Sequence, residues 1–253
     1  MNFKELHYQD GPLLICNAWD ARSASTAEQL KFQAIGTSSA AIAATLGYAD
    51  GEQMAFKTLE RVVRSIQSAT ALPLSVDIEA GYSRKPHKIA DHIKCLYDSG
   101  VMGVNIEDSL VDGDRYILEP ALFAKRLEIV KNELERQHVD IFINVRTDTY
   151  VIPHAEPLKE TMERMPLYQS SGADGIFVPG LQETSEIQAV VESTSLPINL
   201  MCMPELPGFD NLKEIGVKRL SMGNFLFEAM HTKLEKMLMT ITTEGSFKSV
   251  FKC

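Results

Sequence analysis

Three stretches decide the fold: Ser75-Val-Asp-Ile-Glu-Ala-Gly-Tyr82, Gly103-Val-Asn-Ile-Glu-Asp108 and Phe142-Ile-Asn-Val-Arg-Thr-Asp148. Each is an apolar, partly β-branched run that ends in charge. Such runs read as strands buried on both faces. Carboxylates are costly to bury without a cation or hydrogen-bond donors. Asp77, Glu79, Glu107 and Asp108, brought to one sheet edge, repel one another unless something positive joins them. Hard carboxylate oxygens suit Mg2+. Arg146, on the next strand, offers a planar fork for a carboxylate or phosphate. Together the three stretches point to a metal-assisted enzyme acting on a small anion.

The same strand reading extends along the chain. Leu13–Trp19, Ala34–Ser39, Gly175–Pro179, Pro197–Met201 and Arg219–Gly223 are further apolar runs, with Leu72–Glu79, Val104–Asp108 and Ile141–Asp148 around the first three stretches. Helical stretches alternate with them, at about 25–32, 58–69, 88–99, 120–136, 158–170, 183–193 and 211–215. A last helix covers about 225–240. Asp98-Ser-Gly, Ser171-Gly-Ala-Asp-Gly and Glu214-Ile-Gly-Val place glycine where a helix closes and feeds a strand. Strict alternation implies a parallel sheet, and eight such units close as a (β/α)8 TIM barrel. An open doubly wound sheet is the alternative, but no Gly-x-Gly-x-x-Gly follows any strand. No linker is visible, so the sequence predicts one domain over residues 1–253, with a C-terminal helix and tail at about 225–253.

Barrel active sites lie at the C-terminal strand ends. Asp77, Glu79, Asp108, Arg146 and Asp148 all fall there. Asp77 and Glu79 are two apart on a strand and so predict one shared face, as metal ligands or as salt-bridged rim carboxylates. Glu107 sits in an apolar stretch that a purely structural Glu rarely occupies. Arg146 is an anion-binding residue, a partner for Asp148, or both. Thr147 and Asp148 read as supports. The small residues Gly36-Thr-Ser-Ser-Ala after the second strand let backbone N–H groups approach a ligand oxygen; a helix start capped by Ser38 or Ser39 is an equal reading. Trp19 either lines the pocket or packs. His87, His92, His138, His154 and His231 share no strand end and are expected at the surface.

Length and composition agree with a soluble enzyme. The chain has 253 residues, 45% hydrophobic and 23% charged. A net charge of -9 argues against nucleic acid as a partner. No apolar run is long enough to span a membrane and no signal peptide is visible, so a cytoplasmic location is expected. Cys16, Cys95, Cys202 and Cys253 show no metal spacing or disulfide pattern. No Gly-x-Ser-x-Gly elbow is present and no lysine ends a strand, which argues against a serine hydrolase and a Schiff-base aldolase.

At this point the residues match a family. Asn17-Ala-Trp-Asp-Ala, Thr37-Ser-Ser-Ala, Leu46-Gly-Tyr-Ala-Asp-Gly, Asp77-Ile-Glu-Ala-Gly-Tyr, Asn105-Ile-Glu-Asp, Asn144-Val-Arg-Thr-Asp, Phe177-Val-Pro-Gly and Gly216-Val-Lys-Arg-Leu-Ser-Met-Gly resemble, in order, the isocitrate lyase/phosphoenolpyruvate mutase superfamily. The resemblance implies a (β/α)8 barrel and a homo-oligomer, dimer or tetramer, with the last helix exchanged between subunits. It implies Mg2+, with Mn2+ as substitute, and a small 2-oxo or 2-hydroxy acid or a phosphonate as substrate. It implies Asp77, Glu79 and Glu107 as metal residues, and Asp50, Glu107 and Arg146 as catalytic ones. Trp19, Ser38, Ser39, Ala40, Arg146 and Asn199 are implied around the substrate. Two regions depart from the family: the loop after the fourth strand, and Pro179-Gly180, where a histidine used by the mutase after the sixth strand is replaced. The lyases carry a Lys-Lys-Cys-Gly-His gating loop after the fourth strand; here residues 109–120 read Ser-Leu-Val-Asp-Gly-Asp-Arg-Tyr-Ile-Leu-Glu-Pro, without Cys or His. The Lys and Asn of the mutase loop are missing too. The expectation is a Mg2+-dependent lyase that cleaves a C–C bond through an enolate, with the loop 110–118 closing over the site. A mutase or hydrolase of P–C bonds is the alternative within enzymes, and a non-catalytic oxo-acid-binding barrel the alternative outside them.

Overall fold

A computed structural model describes residues 2–251. In chain order the elements are β1 Leu13–Ala18, α1 Ala21–Gln29, β2 Ala34–Thr37, α2 Ser39–Thr45, α3 Phe56–Gln67, β3 Leu74–Asp77, α4 Pro86–Asp98 and β4 Gly103–Glu107. A hairpin follows, β5 Ser109–Asp112 and β6 Asp114–Ile117, then α5 Pro120–Arg136, β7 Phe142–Arg146, α6 Pro157–Ser170 and β8 Gly175–Val178. The chain continues through α7 Thr184–Glu192, β9 Ile198–Met201, α8 Phe209–Ile215, β10 Arg219–Ser221 and α9 Phe225–Glu244. Eight strands close in the order β1-β10-β9-β8-β7-β4-β3-β2, with every neighbouring pair parallel. The expected TIM barrel is present, and the open sheet is excluded.

Local chemistry explains where the helices begin and end. α1 starts earlier than its apolar pattern suggests, because Asp20 caps it. The Asp20 carboxylate accepts from Ser23 N at 2.7 Å while Ser23 Oγ accepts from Asp20 N; such a reciprocal cap stabilises a helix start by about 1 kcal/mol. Proline stands in the first turn of α4, α5 and α6, where its missing N–H is not needed. Gly216, at φ +99°, ends α8 and turns the chain into β10.

The barrel interior is layered. Phe3, Leu6, Leu13, Ile15, Ala34 and Phe142 form an apolar floor at the N-terminal strand ends. His7 stacks on Phe142 with ring centroids 4.1 Å apart. Above the floor the interior is polar. Asn144 Nδ2 donates to Asn105 Oδ1 at 2.9 Å and to Asn199 Oδ1 at 3.0 Å. Arg219 is fully buried among them and reaches Ser75 Oγ and Asn105 Oδ1, each at 3.3 Å. Outside the barrel, β-strands and helices share one large apolar core. That interface explains the apolar strand runs, and the interior layer explains the asparagines within them.

Candidate active site

The mouth of the barrel holds a cavity of about 220 Å³. Its lining includes Ser38, Ser39, Ala40, Asp50, Asp77 and Arg146 together with the apolar Val151, Phe177, Pro179 and Met201. Asp77 ends β3, Arg146 ends β7, and Ser38 caps α2 directly after β2. The barrel thus gathers side chains from distant sequence positions.

Asp77 is fixed from two sides. Its Oδ2 accepts from Ser39 Oγ at 2.8 Å and its Oδ1 from Glu79 N at 3.2 Å. Glu79 is not on the strand, as its spacing from Asp77 suggested. β3 stops at Asp77, and Glu79 takes a left-handed conformation at φ +49°. Its carboxylate turns toward the loop after α2, accepting from Glu52 N at 2.6 Å and Tyr82 Oη at 2.8 Å. Glu107 ends β4, buried and flanked by two guanidinium groups. Its Oε1 accepts from Arg115 Nη1, and its Oε2 lies 3.2 Å from Arg146 Nη1, without good hydrogen-bond alignment.

These carboxyls resist ionisation. Burial, then Asp77 and Asp50, push Glu79 up to about 8. Burial also pushes Glu107 up to about 7, against the pull of Arg146. Asp77 is raised by burial, although Arg146 and Ser39 oppose it. Burial works against Asp148 too, but Arg146, Ser109 and Arg115 outweigh it and hold that carboxyl below its ordinary value. Among the described residues, the ion pairs of the five carboxyls Asp50, Asp77, Glu79, Glu107 and Asp148 are made by Arg115 and Arg146, with the buried Arg219 near Asp77. A divalent cation fits this charge excess and its hard oxygen donors. No three His, Cys, Asp or Glu side chains form a ready-made metal cage among the described residues. The donor set instead fits an ion held by one or two carboxylates that keeps several waters, which is how Mg2+ binds.

Other expected site residues lie elsewhere. Asp108, grouped in sequence with the mouth carboxylates, turns outward. It accepts from Thr147 Oγ1 and Tyr168 Oη at 2.7 Å, from Asp148 N at 3.1 Å and from Arg164 Nη1 at 3.2 Å. It ties the barrel rim to α6. Trp19 is outside the cavity and packs edge-on against Phe227 of α9, ring centroids 5.4 Å apart. Asn199 lies below the cavity, donating to Leu200 O at 2.7 Å and Ser221 Oγ at 3.1 Å. His92 is buried rather than at the surface, because its Nδ1 bonds Gly81 O at 2.9 Å and its ring stacks on Phe56. The expected loop over residues 110–118 is a β-hairpin. Arg219, on an apolar strand, gave no signal in sequence; burial holds its guanidinium down at about 9.

The geometry agrees with what the chain resembles. The family model described as phosphoenolpyruvate phosphomutase matches residues 3–242, and the chain belongs to that family. This places it among the enzymes of the isocitrate lyase/phosphoenolpyruvate mutase superfamily. An uncharacterised protein of Mycobacterium tuberculosis is 34% identical over 233 residues, 90% of this chain and 84% of that one. An oxaloacetate decarboxylase of Rhodopseudomonas palustris is 30% identical over 239 residues, 92% of this chain and 82% of that one. A solved structure from Burkholderia cenocepacia, provisionally named a phosphonomutase, superposes with a TM-score of 0.87 at 35% identity, covering 94% of this chain and 97% of that one.

Proposed function

We propose that this protein breaks a carbon–carbon bond of a small 2-oxo or 2-hydroxy carboxylate to leave an enolate, with Mg2+ as cofactor and Mn2+ as a substitute. One observation carries the reading: Asp77 and Arg146 line the same small cavity as the start of α2. Asp77 would hold the ion directly, with Glu79 and Glu107 acting through water. When bound, the ion supplies Lewis-acid stabilisation of the oxygen that becomes negative.

The chain's own residues do the rest. Arg146 spends Nε on Asp148, at 2.5 Å, and Nη1 on Glu107, at 3.2 Å. Its Nη2 makes no hydrogen bond or ion pair among the described residues, and is left for a substrate carboxylate. The hydroxyl of Ser38 caps α2 by accepting from Ala41 N. The amides of Ser39 and Ala40 open that helix beside the cavity and would stabilise the enolate oxygen. Asp50, exposed at the rim, is placed to exchange a proton between substrate and solvent.

The apolar part of the lining favours C–C over P–C chemistry. Val151, Phe177, Pro179 and Met201 suit an alkyl substituent, and Arg146 is the only cationic side chain lining the cavity among the described residues. The R. palustris relative is named for a reaction that breaks a C–C bond of a 2-oxo acid, in line with this assignment.

We also propose a homo-oligomer. Leu226, Met230, Leu234 and Leu238 recur every fourth residue on α9 and are all exposed, a stripe that a second copy of this chain would cover. No helix among the described residues is long and apolar enough to cross a membrane, and we place the protein in the cytoplasm.

The test is a turnover screen followed by NMR. Alkyl-substituted malates and 2-oxo dicarboxylates should release a 2-oxo acid only when Mg2+ or Mn2+ is present. Turnover of phosphonopyruvate with none of the carboxylates consumed would transfer the assignment to P–C chemistry.

A further inference from the structure

The β5–β6 hairpin carries one cation, Arg115, and its side chain does not point to solvent. Arg115 Nη1 bonds Glu107 Oε1 and lies 3.1 Å from Asp148 Oδ2. Arg146 pairs with the remaining oxygens of the same two carboxylates, Glu107 Oε2 and Asp148 Oδ1. Arg115, Glu107, Arg146 and Asp148 therefore form a closed ring of alternating charge. Ser109, at the hairpin's first position, sits inside the ring. Its Oγ lies 2.5 Å from Asp148 Oδ2 and accepts from Arg115 Nη1 at 2.9 Å. The outer nitrogen, Arg115 Nη2, reaches Asp50 Oδ2 at 3.2 Å.

We infer that Arg115 is a positioning residue, which pins the β5–β6 hairpin to the barrel rim and holds Arg146 aimed into the cavity. The inference rests on the proposed role of Arg146 as the carboxylate anchor. Its physical basis is charge balance. Without Arg115, one guanidinium faces both Glu107 and Asp148, and a neutral hydroxyl, Ser109 Oγ, is left on the far side of those carboxylates in place of a cation. Arg146 then has competing places to lie, and its free Nη2 loses a fixed direction. A forked donor suits this job because it bonds two carboxylates at set angles. The hairpin has other anchors: its own ladder, Leu118 N to Asp108 O at 2.8 Å, and Val111 packed on Gly51. Losing Arg115 should loosen the hairpin without unfolding the barrel.

The test uses the full-length protein with Arg115→Gln, Arg146→Lys and the double variant. Amide hydrogen exchange is followed without ligand, and oxalate binding is followed by calorimetry at saturating Mg2+. In Arg115→Gln, exchange should rise in 109–117 and stay unchanged in the barrel strands. Oxalate affinity should fall by about tenfold, the loss expected for one misaligned charge-assisted bond. In the Arg146→Lys background, removing Arg115 should cost nothing further. Unchanged hairpin exchange, or unchanged oxalate affinity, would overturn the inference. So would additive losses in the double variant, which would mean that Arg115 touches the ligand itself. If the wild-type protein binds no oxalate, the proposed reaction fails, and the exchange measurement alone still decides whether the ring pins the hairpin.

Discussion

Asp108 follows Glu107 directly, yet the two should behave oppositely when changed. Asp108 is fully buried and takes four donors, from Thr147, Asp148, Arg164 and Tyr168. Substituting Asp108→Ala strands the buried Arg164 guanidinium and the Tyr168 hydroxyl. Breaking a buried ion pair from one side costs about 3–5 kcal/mol. Arg164 keeps Glu160 at 2.6 Å and Leu118 O at 2.8 Å, so the lower end, about 3 kcal/mol, applies. For a chain of this length that lowers Tm by roughly 10 °C. Asp108→Asn keeps the shape and loses the charge, so it should cost about 1.5–3 kcal/mol. Calorimetric melts give the stability, and oxalate titration with Mg2+ well below Tm gives the site. Both variants should melt early and bind normally. A variant that melts like wild type but no longer binds would place Asp108 in the mouth and refute the assignment.

Three further outcomes follow from the same geometry. Glu79 and Glu107 hold protons in the folded protein up to about pH 8 and 7, whereas the unfolded chain releases them near 4.5. The folded state binds more protons across that window, so metal-free stability should fall as pH rises from about 5 to 8, and saturating Mg2+ should flatten the slope in melts. Gly51 sits at φ +91°, and an added Cβ would come within 2.8 Å of Val111; Gly51→Ala should cost more than about 1 kcal/mol and expose the hairpin to proteolysis. Leu234→Glu, in the centre of the α9 stripe, should shift the sedimentation coefficient toward a monomer, and an unchanged value would mean that the stripe is not the subunit contact.

The fold was legible because strands buried on both faces cannot hide. Each apolar run between helices became a barrel strand, shifted by a residue or two where the chain curls. Glu79 shows the limit. Spacing placed it beside Asp77, but the strand ended first and a left-handed residue turned it toward Glu52 and Tyr82. Asp108 shows a second limit, since neighbouring residues at a strand end point opposite ways, one to the mouth and one to a helix. The hairpin had a signal, Asp112-Gly-Asp114 between alternating residues, which is a hairpin turn sequence. Expecting a gating loop there concealed it. Arg219 had none, because a cation inside an apolar run looks the same whether it faces water or the barrel axis.

The central claim is a working site for a metal ion and an enolate-like anion, built on Asp77. Oxalate, an enolate mimic, tests it directly in a thermal titration of wild type and Asp77→Ala, with and without Mg2+. The account predicts that wild type is stabilised only when oxalate and Mg2+ are both present, and that Asp77→Ala folds but shows no shift. Stabilisation by oxalate without any divalent ion, or full oxalate affinity in Asp77→Ala, would contradict it.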